Sequence, residues 1–298
     1  GIEVKDHYTH DALGRLTRYY VSGGDALQPV GRTVDLQYNA IGMLLSRSDV
    51  GLYRYPAAGD AGPRHAPMRV GNTAYTYDLD GNTVSACHGA WRRIAYTSFG
   101  LPDGSRGIQG PSGSPQLTWQ YDEDHHRIRE DRVDRRGTRT TWMLHGSGLG
   151  FERETAPGGW VANRHYLNAG GRTVAVLVTS APLATPSTDG DVPTIGFVAA
   201  SKLEYWHHDH LGSLVATSDH TGAATARYAY DPFGQRRHIT GRYDAFGALV
   251  IDWTTDTNTG TDRGFTGHEH LDEVGLIHMN GRVYDPRIGR FLQPDPML

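Results

Sequence analysis

One short pattern recurs along this 298-residue chain: an aromatic residue or histidine, then aspartate or asparagine, two variable residues and a glycine. Copies of this five-residue motif start at His10, Tyr38, Tyr77, His208, Tyr230 and Tyr243. We call its last four residues, from aspartate or asparagine to glycine, the tetrad. Aspartate or asparagine can bond its own backbone two residues on, and glycine supplies the left-handed conformation that a tight turn needs. Each copy therefore predicts a β-hairpin turn, and the fold must accommodate many of them.

The predicted turn positions are those where aspartate or asparagine opens the turn and glycine closes it. They are Asp11, Gly14, Asn39, Gly42, Asp78, Gly81, Asp209, Gly212, Asp231, Gly234, Asp244 and Gly247. Looser copies occur at 96-YTSFG-100, 121-YDEDH-125 and 218-SDHTG-222. His125 stands in the glycine slot of the second of these, and histidine is enriched among non-glycine residues at positive φ. We therefore expect the same turn there.

The segments between the turns alternate between apolar and polar residues, as in 14-GRLTRYYVSG-23 and 117-LTWQYDEDHHRIREDRV-133. A period of two is typical of strands with one face buried, and no long segment has helical periodicity. The 16 tyrosines and 38 glycines also suit strands joined by tight turns. The sequence predicts an all-β fold, an irregular array of antiparallel hairpins that forms one large curved or spiralling sheet.

Composition excludes several classes of protein. The net charge of −4 offers no clustered basic surface for nucleic acid. Cys87 is the only cysteine, so no disulfide forms within the chain, and no apolar run is long enough to span a membrane as a helix. No phosphate-binding glycine loop and no nucleophile elbow occurs, and no cofactor is predicted. Because the first residues already run into a motif copy, we expect a piece of a longer protein.

We expect three parts along the chain. Residues 1–180 form the repeat sheet, 181–197 form a loop rich in proline and small residues, and 198–298 form a denser C-terminal segment. The uneven spacing of the turns predicts an irregular array rather than a strict solenoid.

Two long motifs in the C-terminal segment are specific. They are 207-HHDHLGS-213, inside 205-YWHHDHLGSLVATSDHTGAATARYAYDPFGQRR-237, and 275-GLIHMNGRVYDPRIGRFLQPDP-296. Together with the repeated YDxxG units, they make the chain resemble the Rhs or YD-repeat family. That family includes bacterial polymorphic toxins, the cocoon-forming component of insecticidal Tc toxins and, more distantly, the teneurins of animals.

The resemblance implies a hollow β shell that holds a C-terminal toxin domain of the same polypeptide, with no catalysis by the shell itself. It also implies a secreted or surface-delivered bacterial protein, with a secretion apparatus and an immunity protein as further partners. In the family, an aspartate-dependent self-cleavage follows a motif that would lie beyond Leu298. Hydrophobic residues make up only 38% of the chain, as expected for a sheet with two wetted faces, although ordinary sandwiches also carry polar outer faces.

Two clusters are candidates for chemistry. His208 and His210 would share one face of a strand and could bind a metal with a third ligand such as His268, His270 or Asp272. The simpler interpretation is a hairpin turn opened by Asp209. Asp285 and Asp295, each followed by proline, are weak candidates for a carboxylate pair in catalysis, and turn capping explains them as well.

The arginine runs 92-RR-93, 126-HRIREDRVDRR-136 and 236-RRH-238 alternate with acidic residues, which predicts ion pairs on a solvated face. Two alternatives to the shell remain. One is a module that binds carbohydrate or a surface receptor, with exposed aromatic rings stacking on sugars. The other is a self-processing aspartyl protease core.

Overall fold

The computed structural model describes nine stretches of the chain. They are residues 3–23, 33–60, 62–87, 92–110, 116–134, 137–145, 150–182, 200–241 and 261–295. The predicted turn at Asp244 and Gly247 and most of the predicted loop at 181–197 lie outside these residues. The three-part division drawn from the sequence therefore stays a prediction.

Within these nine stretches, nineteen strands form antiparallel sheet, and six short strands follow them in the chain. The first nineteen are β1 (Val4–His10), β2 (Leu16–Gly23), β3 (Val34–Tyr38), β4 (Leu44–Arg47), β5 (Gly51–Arg54), β6 (Arg69–Val70), β7 (Thr73–Tyr77), β8 (Thr83–Cys87), β9 (Arg92–Ile94), β10 (Ile108–Gln109), β11 (Gln116–Tyr121), β12 (Arg127–Asp134), β13 (Gly137–His145), β14 (Gly150–Ala156), β15 (Trp160–Ala169), β16 (Arg172–Pro182), β17 (Ala200–His208), β18 (Leu214–Ser218) and β19 (Ala224–Arg227). The others are β20 (Ala229–Tyr230), β21 (Arg236–Arg237), β22 (Glu269–Leu271), β23 (Leu276–His278), β24 (Val283–Asp285) and β25 (Arg290–Phe291).

The chain divides into two compact units. The first combines Gly1–Arg93 with Tyr228–Leu298, and the second is Ile94–Arg227. Each neighbouring pair of strands from β1 to β8 is antiparallel in chain order, and β8 also pairs with β9. The strands β20 and β21 form a two-stranded ladder, and β22 to β25 form a four-stranded sheet.

The core of the first unit follows from alternation along its strands. In β2, Tyr19 and Val21 are buried while Tyr20, between them, is 37% exposed. Buried residues from β2 to β8 form one apolar cluster that also includes Ile288, from near the C-terminus. Residues that are far apart in the sequence therefore complete one core.

The second unit is a meander in which each strand from β10 to β18 pairs with the next. Its buried face alternates with an exposed one: Trp119 and Met143 are almost fully buried, whereas Trp142 is 44% exposed. Charged side chains also lie on the buried face, among them Glu130 and Arg132. This unit is built mainly from contacts between strands that are neighbours in the chain.

The predicted all-β class and the antiparallel hairpin array are confirmed. Among the described residues there is no α-helix, and the only helical elements are two 3-10 turns, Phe265–Gly267 and Asp272–Val274. None of the helical elements in the described residues is long and apolar enough to cross a membrane.

Candidate functional site

The repeated tetrad adopts one hairpin geometry. In the first copy, the Asp11 carboxylate accepts the backbone N–H groups of Leu13 and Arg15, each at 3.0 Å. The N–H of Gly14 donates to the Asp11 carbonyl at 3.0 Å, and Gly14 has a φ of 75°. One carboxylate thus satisfies two backbone donors of a tight turn, and a side chain with a Cβ would be strained at Gly14.

The same side-chain acceptor and left-handed closing residue recur in the other copies. The pairs are Asn39 with Gly42, Asp78 with Gly81, Asp209 with Gly212 and Asp231 with Gly234. The looser copies at Asp122 and Asp219 have it too, and His125 has a φ of 63° in the slot that glycine otherwise fills.

The tyrosine that precedes the turn donates a hydrogen bond to a backbone carbonyl earlier in the chain. The hydroxyl of Tyr38 donates to the carbonyl of Leu16 at 2.9 Å, and that of Tyr121 donates to the carbonyl of Pro102 at 2.9 Å. Tyr77 donates to the carbonyl of Pro67 at 2.8 Å, and its burial raises the pKa of the phenol to about 12. In these three copies the tyrosine connects the hairpin to the chain that precedes it, and an aromatic ring at this position can pack on the sheet.

One copy of the turn has a different environment. The Asp231 carboxylate is buried, and it lies 3.3 Å from a guanidinium nitrogen of Arg47. The ring of Phe233, in the same turn, lies over that guanidinium at 4.4 Å. Burial raises the pKa of Asp231, whereas Arg47 and two backbone N–H groups lower it. The turn at Asp231 is therefore also a docking element within the first unit.

Arg47 is the centre of this contact, with 1% of its side chain exposed. It pairs with Asp49 at 2.8 Å and donates to the carbonyls of Pro286, at 3.2 Å, and Arg287, at 3.0 Å. Its planar group also donates to the hydroxyl of Tyr19 at 3.4 Å. A guanidinium carries five N–H donors, which is why arginine can serve so many acceptors at a buried site.

A second buried arginine repeats the arrangement. Arg92 pairs with Asp285, whose side chain is fully buried, and donates to the carbonyl of Val274 at 3.3 Å. The other carboxylate oxygen of Asp285 accepts the N–H of Arg287 at 3.0 Å. Arg237, also buried, donates to both carboxylate oxygens of Asp6, at 2.9 and 2.8 Å.

We call residues 228–241 and 261–295 of the first unit the C-terminal block. The three arginine contacts join this block to strands β1, β4 and β9. Two further hydrogen bonds join the block to strands β5 and β8. The hydroxyl of Tyr53 donates to the carbonyl of Ile288 at 3.0 Å, and the N–H of Thr83 donates to the carbonyl of Leu292 at 2.8 Å. The block is thereby fixed across the width of the first unit.

The candidate catalytic carboxylates have separate partners. Asp285 is the buried counterion of Arg92, while Asp295 pairs with Arg282 at 3.2 Å and is 38% exposed. Asp285 is thus engaged in the contact between the C-terminal block and the strands. Catalysis by this pair stays a hypothesis.

The histidine candidates lie at the turn between β17 and β18 in the second unit. His208 is half-buried and His210 is exposed. Desolvation and the nearby charge of Arg172 lower the pKa of His208. His268, His270 and Asp272 belong to the first unit. In the described stretches, no three histidine, cysteine, aspartate or glutamate side chains come together in a way that could hold a metal ion.

The prediction that the arginine runs lie on a solvated face is wrong for several of their members. The buried ones are Arg92, Arg127, Arg132, Arg236 and Arg237. Alternation explains the error, because a run of interleaved charges on a strand places half of its members on each face. Arg129 and Asp131 are partly exposed and pair with each other, while Glu130 and Arg132 are buried and pair with each other.

The sequence does not distinguish Arg47, which follows the motif copy that starts at Tyr38. Its acceptors in the C-terminal block lie 184 to 240 residues away. No local pattern reports such a contact.

Comparison with known proteins places these features in context. No family model matches the chain. It is 22% identical over 228 residues to the tRNA nuclease WapA of Bacillus subtilis (strain 168), which is 76% of this chain and 8% of the relative. It is 31% identical over 121 residues to Salivary gland surface protein 1 of Aedes aegypti, which is 40% of this chain and 3% of that protein.

The fold resembles part of a solved structure, the crystal structure of TcdB2-TccC3-Cdc42. The TM-score is 0.50 with 14% sequence identity, over 98% of this chain and 16% of that one. The chain therefore spans a small fraction of the proteins that it matches, and the likeness to TcdB2-TccC3-Cdc42 is one of fold.

Proposed function

We propose that this chain is a wall segment of a hollow β shell of the Rhs or YD-repeat type, which encloses a toxin domain of the same polypeptide and carries out no catalysis itself. The observation that supports this most is the repeated hairpin, in which each turn is capped by its own aspartate or asparagine. Such a unit can be added strand by strand, so a sheet of this kind can grow wide enough to surround a cargo.

The tyrosine contacts support the same proposal. Hydroxyl-to-carbonyl bonds such as that of Tyr38 to Leu16 and of Tyr121 to Pro102 connect successive hairpins along the sheet. A wall that encloses a space needs such bonds along the sheet, since it has no packed layer on both faces.

The tRNA nuclease activity for which WapA is named belongs to a protein more than ten times as long as the matched segment. We propose that in this protein a toxic activity belongs to a domain outside the wall. Secretion or delivery to the surface of a bacterium, a secretion apparatus and an immunity protein are parts of the same proposal.

Limited proteolysis of the full-length protein tests the shell. We expect peptides of the toxin domain to be cleaved at least tenfold more slowly in the full-length protein than in the separately expressed domain, because the wall excludes the protease. The activity of the domain should be masked in parallel. Equal cleavage rates in the two preparations would overturn the proposal.

A further inference from the structure

We infer that the C-terminal block is a strap that closes the first unit late, so that β1 to β9 cannot complete their structure until the block docks, after the second unit has folded. This inference concerns the order of folding within the chain and does not depend on what the wall encloses.

The buried charges of the first unit carry the inference. Arg92 has 5% of its side chain exposed, and its carboxylate partner Asp285 follows 193 residues later in the chain. The carbonyl that it also contacts, that of Val274, comes from the same block. Burying a charge without a counterion is strongly unfavourable, so β9 cannot take its final environment before the block arrives.

Arg47 has one local partner, Asp49, which is 26% exposed. Its other acceptors outside β2 come from the block: the Asp231 carboxylate and the carbonyls of Pro286 and Arg287. Without them the guanidinium would bury several unmatched N–H donors. Arg47 can therefore begin to fold near Asp49 but cannot be fully buried there.

The apolar core has the same dependence. Ile288 belongs to the cluster formed by the buried residues of β2 to β8, and the ring of Phe233 packs against it. Until the block docks, the first unit lacks part of its core and three charge partners, Asp231, Asp285 and Arg237. We therefore expect β2 to β8 to remain open to solvent exchange during this interval.

The second unit has no such dependence among its described ion pairs. The Glu130 carboxylate accepts from Trp119, 11 residues away, and from Arg132, two residues away. Contacts of this kind form as soon as neighbouring strands exist. At synthesis rates of about 5–20 residues per second, the 193 residues between Arg92 and Asp285 take roughly 10 to 40 s. The second unit has that time to fold first.

Pulsed hydrogen exchange during refolding of the full chain, read by mass spectrometry of peptides, tests the order. We expect amides of β11 to β18 to become protected before those of β2 to β8, and β2 to β8 to become protected together with residues 269–292. Simultaneous protection of β2 to β8 and β11 to β18, or earlier protection of β2 to β8, would overturn the inference.

Two matched variants locate the cause. Asp285 and Asp295 both precede a proline and both pair with an arginine, but only Asp285 is buried against a strand of the first unit. We expect Asp285→Asn to slow protection of β8 and the block at least tenfold, with the second unit unchanged. Asp295→Asn should change neither by more than about twofold. Equal slowing of both units by Asp285→Asn would contradict the strap.

Even if the Asp285→Asn variant did not reach a native state, the order in the unmodified chain would still decide the question. In that case the second unit of the variant should still acquire protection at the normal rate, because its ion pairs are intact. Loss of protection in both units would count against the inference.

Discussion

The two units use the same hairpin but obtain partners for their buried charges in different ways. In the first unit, Arg47, Arg92 and Arg237 pair with carboxylates that lie 184, 193 and 231 residues away. In the second unit, the buried Glu130 and the partly buried Glu154 pair with arginines that lie two to fifteen residues away along the meander. The repeat alone therefore does not determine how a region folds.

The two units differ in the contact order of their ion pairs. A unit whose ionic contacts are local can fold as a succession of hairpins, whereas a unit with distant counterions folds only when both ends are present. The second unit thus represents the plain repeat array. The first unit is the same array completed by the C-terminal block, and its properties should depend on a few buried residues.

The largest effect should follow the loss of Arg47. We expect Arg47→Met to lower the free energy of opening of amides in β2 to β5 by about 3–5 kcal/mol, because Asp231 is left buried without its cation. Native-state hydrogen exchange measures this for each strand. Arg18→Met is the control: Arg18 pairs with Asp35 at 2.6 Å on the surface, and its loss should cost under about 1 kcal/mol.

The two variants together test the role of buried charge. If Arg18→Met and Arg47→Met had equal effects, the contact with the C-terminal block would contribute no more than a surface pair. Amides of β11 to β18 should be unaffected by either change. That result would show that the stability of the second unit does not depend on these two arginines.

The corresponding test in the second unit replaces a buried charged residue there. We expect Glu130→Gln to lower the opening free energy of β11 and β12 by about 2–4 kcal/mol, since it removes the charge of the buried carboxylate that pairs with Arg132. The effect should not reach β2 to β5. Asp131→Asn, on the next residue but on the more exposed face, should cost under about 1 kcal/mol. A large effect of Glu130→Gln on the first unit would refute the separation of the two units.

The turns themselves could be predicted from the sequence because their chemistry is local. An aspartate, two residues and a glycine contain both the acceptor and the left-handed residue. The same turn could be predicted at His125, because histidine also adopts positive φ. The hairpins and the all-β class follow from these turns and the alternating flanks. The distinction between the turn at Asp231 and the others could not follow, because Asp231 and Gly234 fit the same template as Asp11 and Gly14.

The buried arginines could not be predicted for a related reason. Interleaved charges in 126-HRIREDRVDRR-136 favour pairing, and the pairing is present, but the sequence does not state which face of the strand is covered. For Arg92 the sequence does not indicate the partner either, because its carboxylate partner lies 193 residues away. Single-sequence patterns report neighbours along a strand and not the contacts between distant segments.

A smaller effect should distinguish the turn that ends at Gly234, which docks within the first unit, from the turn that ends at Gly14. A Cβ added to Gly234, where φ is 89°, would collide with the ring of Phe265, whereas at Gly14 the added atom would meet nothing within 4 Å. We expect Gly234→Ala to cost about 2–3 kcal/mol and Gly14→Ala about 1–2 kcal/mol, the latter from backbone strain alone. Thermal unfolding followed by circular dichroism measures both. Equal losses would mean that the turn at Gly234 is no more constrained than the turn at Gly14.

The smallest effect concerns acid. The hydrogen bond from the Arg15 side chain, followed by that from the Arg15 N–H, lowers the pKa of Asp11 below its usual 3.8. A carboxyl with a lowered pKa in the folded state contributes stability that is present above pH 3.8 and is lost as the pH falls through the folded pKa. Asn39 holds the same place in the next hairpin without a titrating group.

These two positions therefore form a matched pair. We expect Asp11→Asn to flatten the decline in Tm of the first unit between pH 5 and pH 3, and Asn39→Asp to steepen it. Both changes should be small, because Asp11 is only partly buried and solvent screens its hydrogen bonds. An unchanged decline in Asp11→Asn would show that the turn carboxylates cap the backbone without coupling stability to pH, and acid sensitivity would then have to arise from the buried pairs of the first unit.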